Sequence, residues 1–118
     1  KSYEGFQKTI QENKKKLLDK IKNIKNKKFS IIGIGAAAKG NTFLNFNELD
    51  NSVIEYVTDI SIHKIGKFTP RTRIPITEDS ILKNYGRVYL LVLTENLSPN
   101  FKSYLLSLNP KIKFIYEV

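Results

Sequence analysis

Residues 29–46 read FSIIGIGAAAKGNTFLNF, and the fold follows from how this stretch divides. Phe29–Ile34 is a short apolar run ending in glycine and isoleucine, the pattern of a strand buried on both faces. From Gly33 to Ala38 the chain carries almost no bulk besides Ile34. Ala37–Leu49 then reads as a helix, with Phe43, Leu44 and Phe46 available to pack on a sheet. A strand, a bare turn and a helix in this order open a parallel βαβ unit.

The alternation continues outward. Asp50-Asn51 is a turn, and Val53–Thr58 (VIEYVT) is a second strand. Residues 60–73 form a Lys/Arg-rich loop with Gly66 and Pro70. Arg73–Ile76 is extended, since Pro75 keeps Ile74 out of helix. Thr77 before Glu78-Asp79 marks a helix start. Val88–Leu93 (VYLLVL) is the most apolar strand and is expected at the centre. Ser98-Pro99 opens a further helix, with Pro at its first position, ending near Leu108. Ile112–Tyr116 is the last strand. Upstream, Tyr3, Phe6, Ile10, Leu17, Leu18, Ile21 and Ile24 recur at helical spacing, so residues 3–26 read as one amphipathic helix. The whole is an α/β domain, a Rossmann-like doubly wound parallel sheet of about five strands behind a long N-terminal helix. Two units are expected: a basic amphipathic connector helix over 1–28 and the sheet domain over 29–118.

Composition narrows the chemistry. At 118 residues with 41% apolar and 26% charged side chains, the chain matches a single globular domain with one core. No apolar run nears the ~20 residues of a membrane span, and no signal-peptide pattern opens the chain. Without Cys there is no disulfide, thiolate metal site or thiol nucleophile, and the single His63 rules against His-based clusters and relays. His63 reads as a surface loop residue, and no metal site is expected. The net charge of +9 raises the question of nucleic acid. Residues 1–28 hold ten Lys against Glu4, Glu12 and Asp19, so most of the excess sits on the first helix. No aromatic residues alternate with those lysines as a stacking platform requires, and a solvated helix face is the reading. The chain has no Met, which fits a domain excised from a longer protein.

The bare turn is where chemistry is expected. Gly33 permits a tight turn, Gly35 lets a phosphate approach the backbone, and Ala38 allows close helix–strand packing. The first turn of the helix offers free N–H groups to an anion, with Ala36, Lys39 and Asn41 beside it. Lys39 sits unfavourably with the helix dipole there, a mild cost that points to an anion nearby. Asp59 follows the second strand, roughly two dozen residues after Gly35, where an acid would take a ribose hydroxyl of NAD. Any doubly wound domain needs small residues at this turn, so packing alone is the competing explanation. Gly35 to Thr42 also reads G-x-x-x-x-G-N-T, but Asn41 stands where a P-loop needs Lys, so an NTPase is not expected.

These residues carry a resemblance. GIGAAAKGNTFLNF (33–46) followed by YVTDISIHKIGKFTPRTRIPI (56–76) resembles the C-terminal domain of the SAM-dependent sugar C-methyltransferases. The family pattern is close to G-x-G-A-A-[AS]-K-G-N-T-x-L-N, a strand ending in Asp, then K-x-G-[KR]-[YF]-T-P-G-T-x-I-P-[IV]. Gly33, Gly35, Ala36, Lys39, Gly40, Asn41 and Thr42 match the first motif; Lys64, Gly66, Lys67, Phe68, Thr69, Pro70 and Thr72 match the second. The resemblance implies a parent enzyme with a zinc-binding module and a SAM-binding catalytic domain, which methylates a carbon of a nucleotide-linked deoxysugar. This domain would pack on the catalytic domain and form the substrate side of the cleft. No catalytic residue and no cofactor would lie in it; S-adenosylmethionine would belong to the catalytic domain, and the isolated chain would be inactive. A cytoplasmic location and no membrane partner are expected.

The sequence departs from the pattern at three places. Arg71 replaces the glycine of T-P-G-T, Arg73 stands at a His-type position, and Glu95-Asn96-Leu97 replaces Trp-Asn-Phe with only Asn96 kept. The residues expected to contact an anionic substrate are Gly33, Gly35, Ala36, Lys39, Asn41, Asp59, Lys64, Lys67, Phe68, Arg71 and Asn96. Lys64, Lys67, Arg71 and Arg73 would grip a diphosphate or form a solvated basic loop. Phe68 would stack on a base or anchor the loop on the core. Asp59 would contact ligand or cap its own turn. Asn96 should sit near the topological switch point, where open sheets bind ligands. The alternatives kept beside this function are an NAD-type dinucleotide-binding domain and a structural or interaction domain with no ligand.

Overall fold

A computed structural model of the chain describes residues 3–35, 38–94 and 97–116. Helix α1 (Tyr3–Asn26) leads into β1 (Ser30–Ile34), α2 (Ala38–Phe46), β2 (Tyr56–Thr58), β3 (Ile76–Thr77), a 3-10 helix (Asp79–Asn84), β4 (Val88–Val92), α3 (Pro99–Leu108) and β5 (Ile112–Tyr116). The five strands form one sheet in the order β3-β2-β1-β4-β5. Every pairing is parallel, with Ile32 opposite both Tyr56 and Leu90, and Leu90 opposite Phe114. The Rossmann-like α/β expectation therefore holds.

Each central strand supplies two cores because alternate side chains point to opposite faces. On one face Ile31, Val57, Leu91 and Ile115 pack with Leu44 of α2 and with Leu17, Ile21 and Ile24 of α1. On the other, Ile32, Ile34, Leu90 and Val92 pack with Leu82 of the 3-10 helix and Leu105 of α3. Leu17, Ile21 and Ile24 are spaced by four and three, one stripe of a helix. The second half of α1 thus shares the core of the sheet, whereas Gln7, Lys8 and Thr9 near its start are exposed.

Several boundaries differ from the sequence reading, each for a local reason. Helix α2 stops at Phe46 rather than Leu49 because Glu48 turns left-handed (φ +56°), and the Leu49 N–H closes on the Leu44 carbonyl at 2.9 Å. This is a Schellman-type end made without glycine. Lys28 (φ +64°) ends α1 the same way, the Phe29 N–H donating to the Ile24 carbonyl. Strand β2 starts at Tyr56 rather than Val53, because Val53 and Ile54 spend their N–H groups on the Asp50 carbonyl at 3.1 and 3.0 Å. The helix expected after Thr77 is one short 3-10 segment that no side chain caps at its start. In contrast, α3 starts as its sequence requires: Ser98 Oγ accepts from the Phe101 N–H at 3.1 Å, with Pro99 at the first helical position. No helix among the described residues is long and apolar enough to cross a membrane.

Candidate functional site

The strand order reverses between β1 and β4, so the switch point lies at their C-terminal ends, where Gly35 leaves β1 and Thr94 follows β4. The Gly35 N–H donates to the Thr58 carbonyl at 2.9 Å, and the Leu93 N–H to the Ile34 carbonyl at 2.9 Å. Gly35 has φ +95°, a conformation side chains rarely adopt.

The glycines of this turn are held close by the protein itself. A Cβ on Gly33 would meet Leu93 Cδ1 at 2.9 Å and Val57 Cγ2 at 3.2 Å. One on Gly35 would run into the Thr94 methyl. One on Gly40 would meet Leu93 Cβ at 2.9 Å and the Leu93 carbonyl oxygen at 3.2 Å. Gly40 therefore makes a close approach of helix to strand, and the Ala38 side chain, to which the sequence assigned that role, lies outside the described residues. Ala36 lies outside the described residues, and Lys39 is described only as backbone of α2.

Asn41 stands in the first turn of α2, and its Oδ1 is buried with no hydrogen-bond partner among the described residues. Its backbone carbonyl accepts from Asn45 Nδ2 at 3.0 Å. A buried acceptor without a donor is uncommon in a folded protein and calls for an explanation. The group it lacks is an O–H or N–H.

Asp59 directly follows β2. Its N–H donates to the Thr77 carbonyl at 3.1 Å, and its Oδ1 accepts from the Ser61 N–H at 2.8 Å. It therefore caps its own turn. It lines a hollow of about 260 Å³ with Glu78, Asp79 and Tyr104 at the ends of β2 and β3. Burial, the largest cause, holds the Asp79 carboxyl above the usual carboxylate range; the Thr58 hydroxyl opposes this, and the Asp59 and Glu78 charges add to it. Three carboxylates disfavour a phosphate in this hollow and suit hydroxyl donors. Sequence reasoning missed Asp79 because nothing in its pattern separates it from an ordinary first-turn acid.

The segment read as a basic loop contains a hairpin. Gly66 donates to the Ile76 carbonyl (2.9 Å), Ile76 to the Lys67 carbonyl (2.8 Å), and Thr69 to the Ile74 carbonyl (2.9 Å); Phe68 and Pro75 form an antiparallel bridge. Thr69 and Thr72 are buried inside the turn, their hydroxyls bonded to each other. Arg71 and Arg73 at the tip both have left-handed backbones (φ +64° and +60°). The arm from Gly66 to Thr69 runs antiparallel to the segment entering β3. Lys67 therefore lies level with Ile76, and the arginine tip lies back toward the N-terminal end of the strand. The structure does not bring Arg71 and Arg73 to the end of the sheet that carries Gly35. Lys64 is half-buried, Lys67 exposed, and His63 an exposed turn residue. Phe68 is 58% exposed, so it is not the core anchor that sequence allowed. Asn96 lies outside the described residues, although β4, which precedes it, does end at the switch point. Among the described residues no group of His, Asp or Glu could hold a metal ion.

Comparison with curated proteins gives no match. The family model described as the C-methyltransferase C-terminal domain matches residues 1–116, nearly the whole chain and both motifs around the site. The chain belongs to the C-methyltransferase C-terminal domain family.

Proposed function

We propose that this domain is the substrate-side part of a SAM-dependent C-methyltransferase acting on a nucleotide-linked sugar or similar anionic substrate. Methyl transfer and proton abstraction take place in a catalytic domain of the same parent chain, in the cytoplasm, with α1 as the connector. S-adenosylmethionine, when bound there, supplies the methyl group; no residue of this domain is assigned to it.

The observation that carries this reading is the orphaned Asn41 Oδ1 at the switch point. A sugar hydroxyl is the donor that a buried amide oxygen lacks. The N–H groups at the start of α2 favour the adjoining phosphate, and Lys64 and Lys67 are the cations from the β3 side. The carboxylates of Asp59, Glu78 and Asp79 keep the phosphate away from the β2–β3 end and leave that end to hydroxyls. Gly35, Ala36, Phe68, Arg71 and Asn96 remain in the proposed substrate surface, with Arg71 reaching only the part of a substrate that extends along the hairpin, whereas Gly33 is buried within β1 and serves packing.

A second reading, a structural or interaction domain, is favoured by the glycine contacts, because Leu93, Val57 and Thr94 account for all three glycines without a ligand. Melting the chain against UDP-glucose separates the two. At a hundredfold excess over Kd a single site adds about 2.7 kcal/mol, which is several degrees in Tm for a domain of this size. Asn41→Ala abolishes that rise under the first reading. A Tm that does not move with UDP-glucose leaves the structural reading.

A further inference from the structure

A second concavity, of about 280 Å³, opens at the opposite end of the sheet, where β1, β4 and β5 begin. Its wall carries Lys27, Arg87, Lys111 and Lys113, and Phe29 and Tyr89 line it as well. The two rings are half-buried and lie 5.7 Å apart, tilted at 50°. Tyr89 sits opposite Lys113 in the β4–β5 register. No carboxylate lines the hollow, and among the described residues none of the four cations is in an ion pair. The ion pair Lys14–Glu48 joins other parts of the chain.

Four like charges gathered on one concave wall repel each other and raise the local potential for anions. An incoming phosphate relieves that repulsion and gains charge-assisted hydrogen bonds, with the Arg87 guanidinium able to bind it in two-pronged fashion. The rings add a surface on which a flat base stacks. The volume lies just below the usual range for ligand sites, which suits at most one nucleotide, partly in solvent, rather than a dinucleotide.

We propose that this concavity is a nucleotide site, taking a base carrying one or two phosphates, with the base against Phe29 and Tyr89 and the phosphates among Lys27, Arg87, Lys111 and Lys113. It is separate from the switch-point site and stands or falls independently of the proposed function. Sequence reasoning missed it because the four cations are scattered over three strand starts, and because open parallel sheets ordinarily bind at their other end.

The test titrates the chain with ADP, inorganic pyrophosphate and adenosine, following tyrosine fluorescence and heat. ADP saturates, and pyrophosphate and adenosine each bind at least tenfold more weakly. The double variant Lys111→Glu/Lys113→Glu, both exposed positions, weakens ADP at least tenfold. Tyr89→Leu lowers ADP affinity to that of pyrophosphate, and Lys15→Glu/Lys16→Glu, the same charge change on α1, leaves ADP within twofold. The proposal is overturned if millimolar ADP gives no saturation, or if the α1 variant weakens ADP as much as the pocket variant does. It is overturned equally if Asn41→Ala or Lys67→Ala, and not the pocket variant, removes ADP binding.

Discussion

Gly35 and Thr94 face each other across the ends of β1 and β4 so closely that a Cβ on Gly35 would overlap the Thr94 methyl. The turn is bare because the neighbouring strand already fills the space. Gly35→Ala should destabilise by about 2–4 kcal/mol, combining a steric term with a backbone term for φ +95°. Thr94→Ser removes the methyl, so the double variant should recover the steric part and keep the backbone part. Urea unfolding of the four proteins reads both. Full additivity of the two single variants would show that the methyl is not the obstacle.

Asn109 makes four hydrogen bonds through its side chain. It is buried, its Nδ2 donates to the carbonyls of Leu82, Tyr85 and Gly86 at 3.0, 2.9 and 2.9 Å, and its Oδ1 accepts from the Lys111 N–H at 2.9 Å. It ties the turn after α3 to the turn before β4. Asn109→Ala removes all four of these bonds and should cost about 2–4 kcal/mol. A loss below ~0.5 kcal/mol in denaturant unfolding would mean that water replaces the amide.

Arg71 occupies a left-handed position (φ +64°) where the family pattern has glycine. Arg71→Gly should leave stability unchanged or raise it by up to about 1 kcal/mol, relief of the left-handed cost being partly offset by glycine's flexibility when unfolded. A fall of more than ~1 kcal/mol on thermal unfolding would show that the side chain itself holds the hairpin.

Burial raises the Asp79 carboxyl above its ordinary value of 3.8. The folded state therefore binds its proton more tightly than the unfolded chain. Stability from this group is fully present below pH 3.8 and is lost as pH rises through the higher folded value. Asp79→Asn should stabilise the domain at pH 7, with the advantage shrinking as pH falls toward 3.8. Unfolding curves across that range check it, and a constant difference between the two proteins would contradict it.

Most of the fold was legible because it rests on apolar pattern and end signals. Tyr3–Asn26, Ile112–Tyr116 and the Ser98-Pro99 start of α3 stand where the sequence puts them. Boundaries set by individual backbone bonds and left-handed residues were not legible. Strand β2 loses its first residues to the Asp50 turn, α2 is cut short by a left-handed Glu48, and the hairpin at Phe68–Pro75 has no turn-type glycine at its tip. For the site, the sequence located the switch point and Asn41 within the right turn. It grouped Arg71 with Lys64 and Lys67 by proximity along the chain, and the antiparallel arm then carries the arginine tip to the other end of the strand. The Asn109 clamp and the cationic hollow depend on residues far apart in sequence, which no local pattern announces.

The most direct test of the account is an amide NMR titration of the chain with UDP-glucose. Saturable shifts of the Gly35, Gly40 and Asn41 amides, lost in Asn41→Ala, are the predicted result. Spectra in which those three amides stay fixed, while shifts are absent or confined to other parts of the molecule, would contradict it.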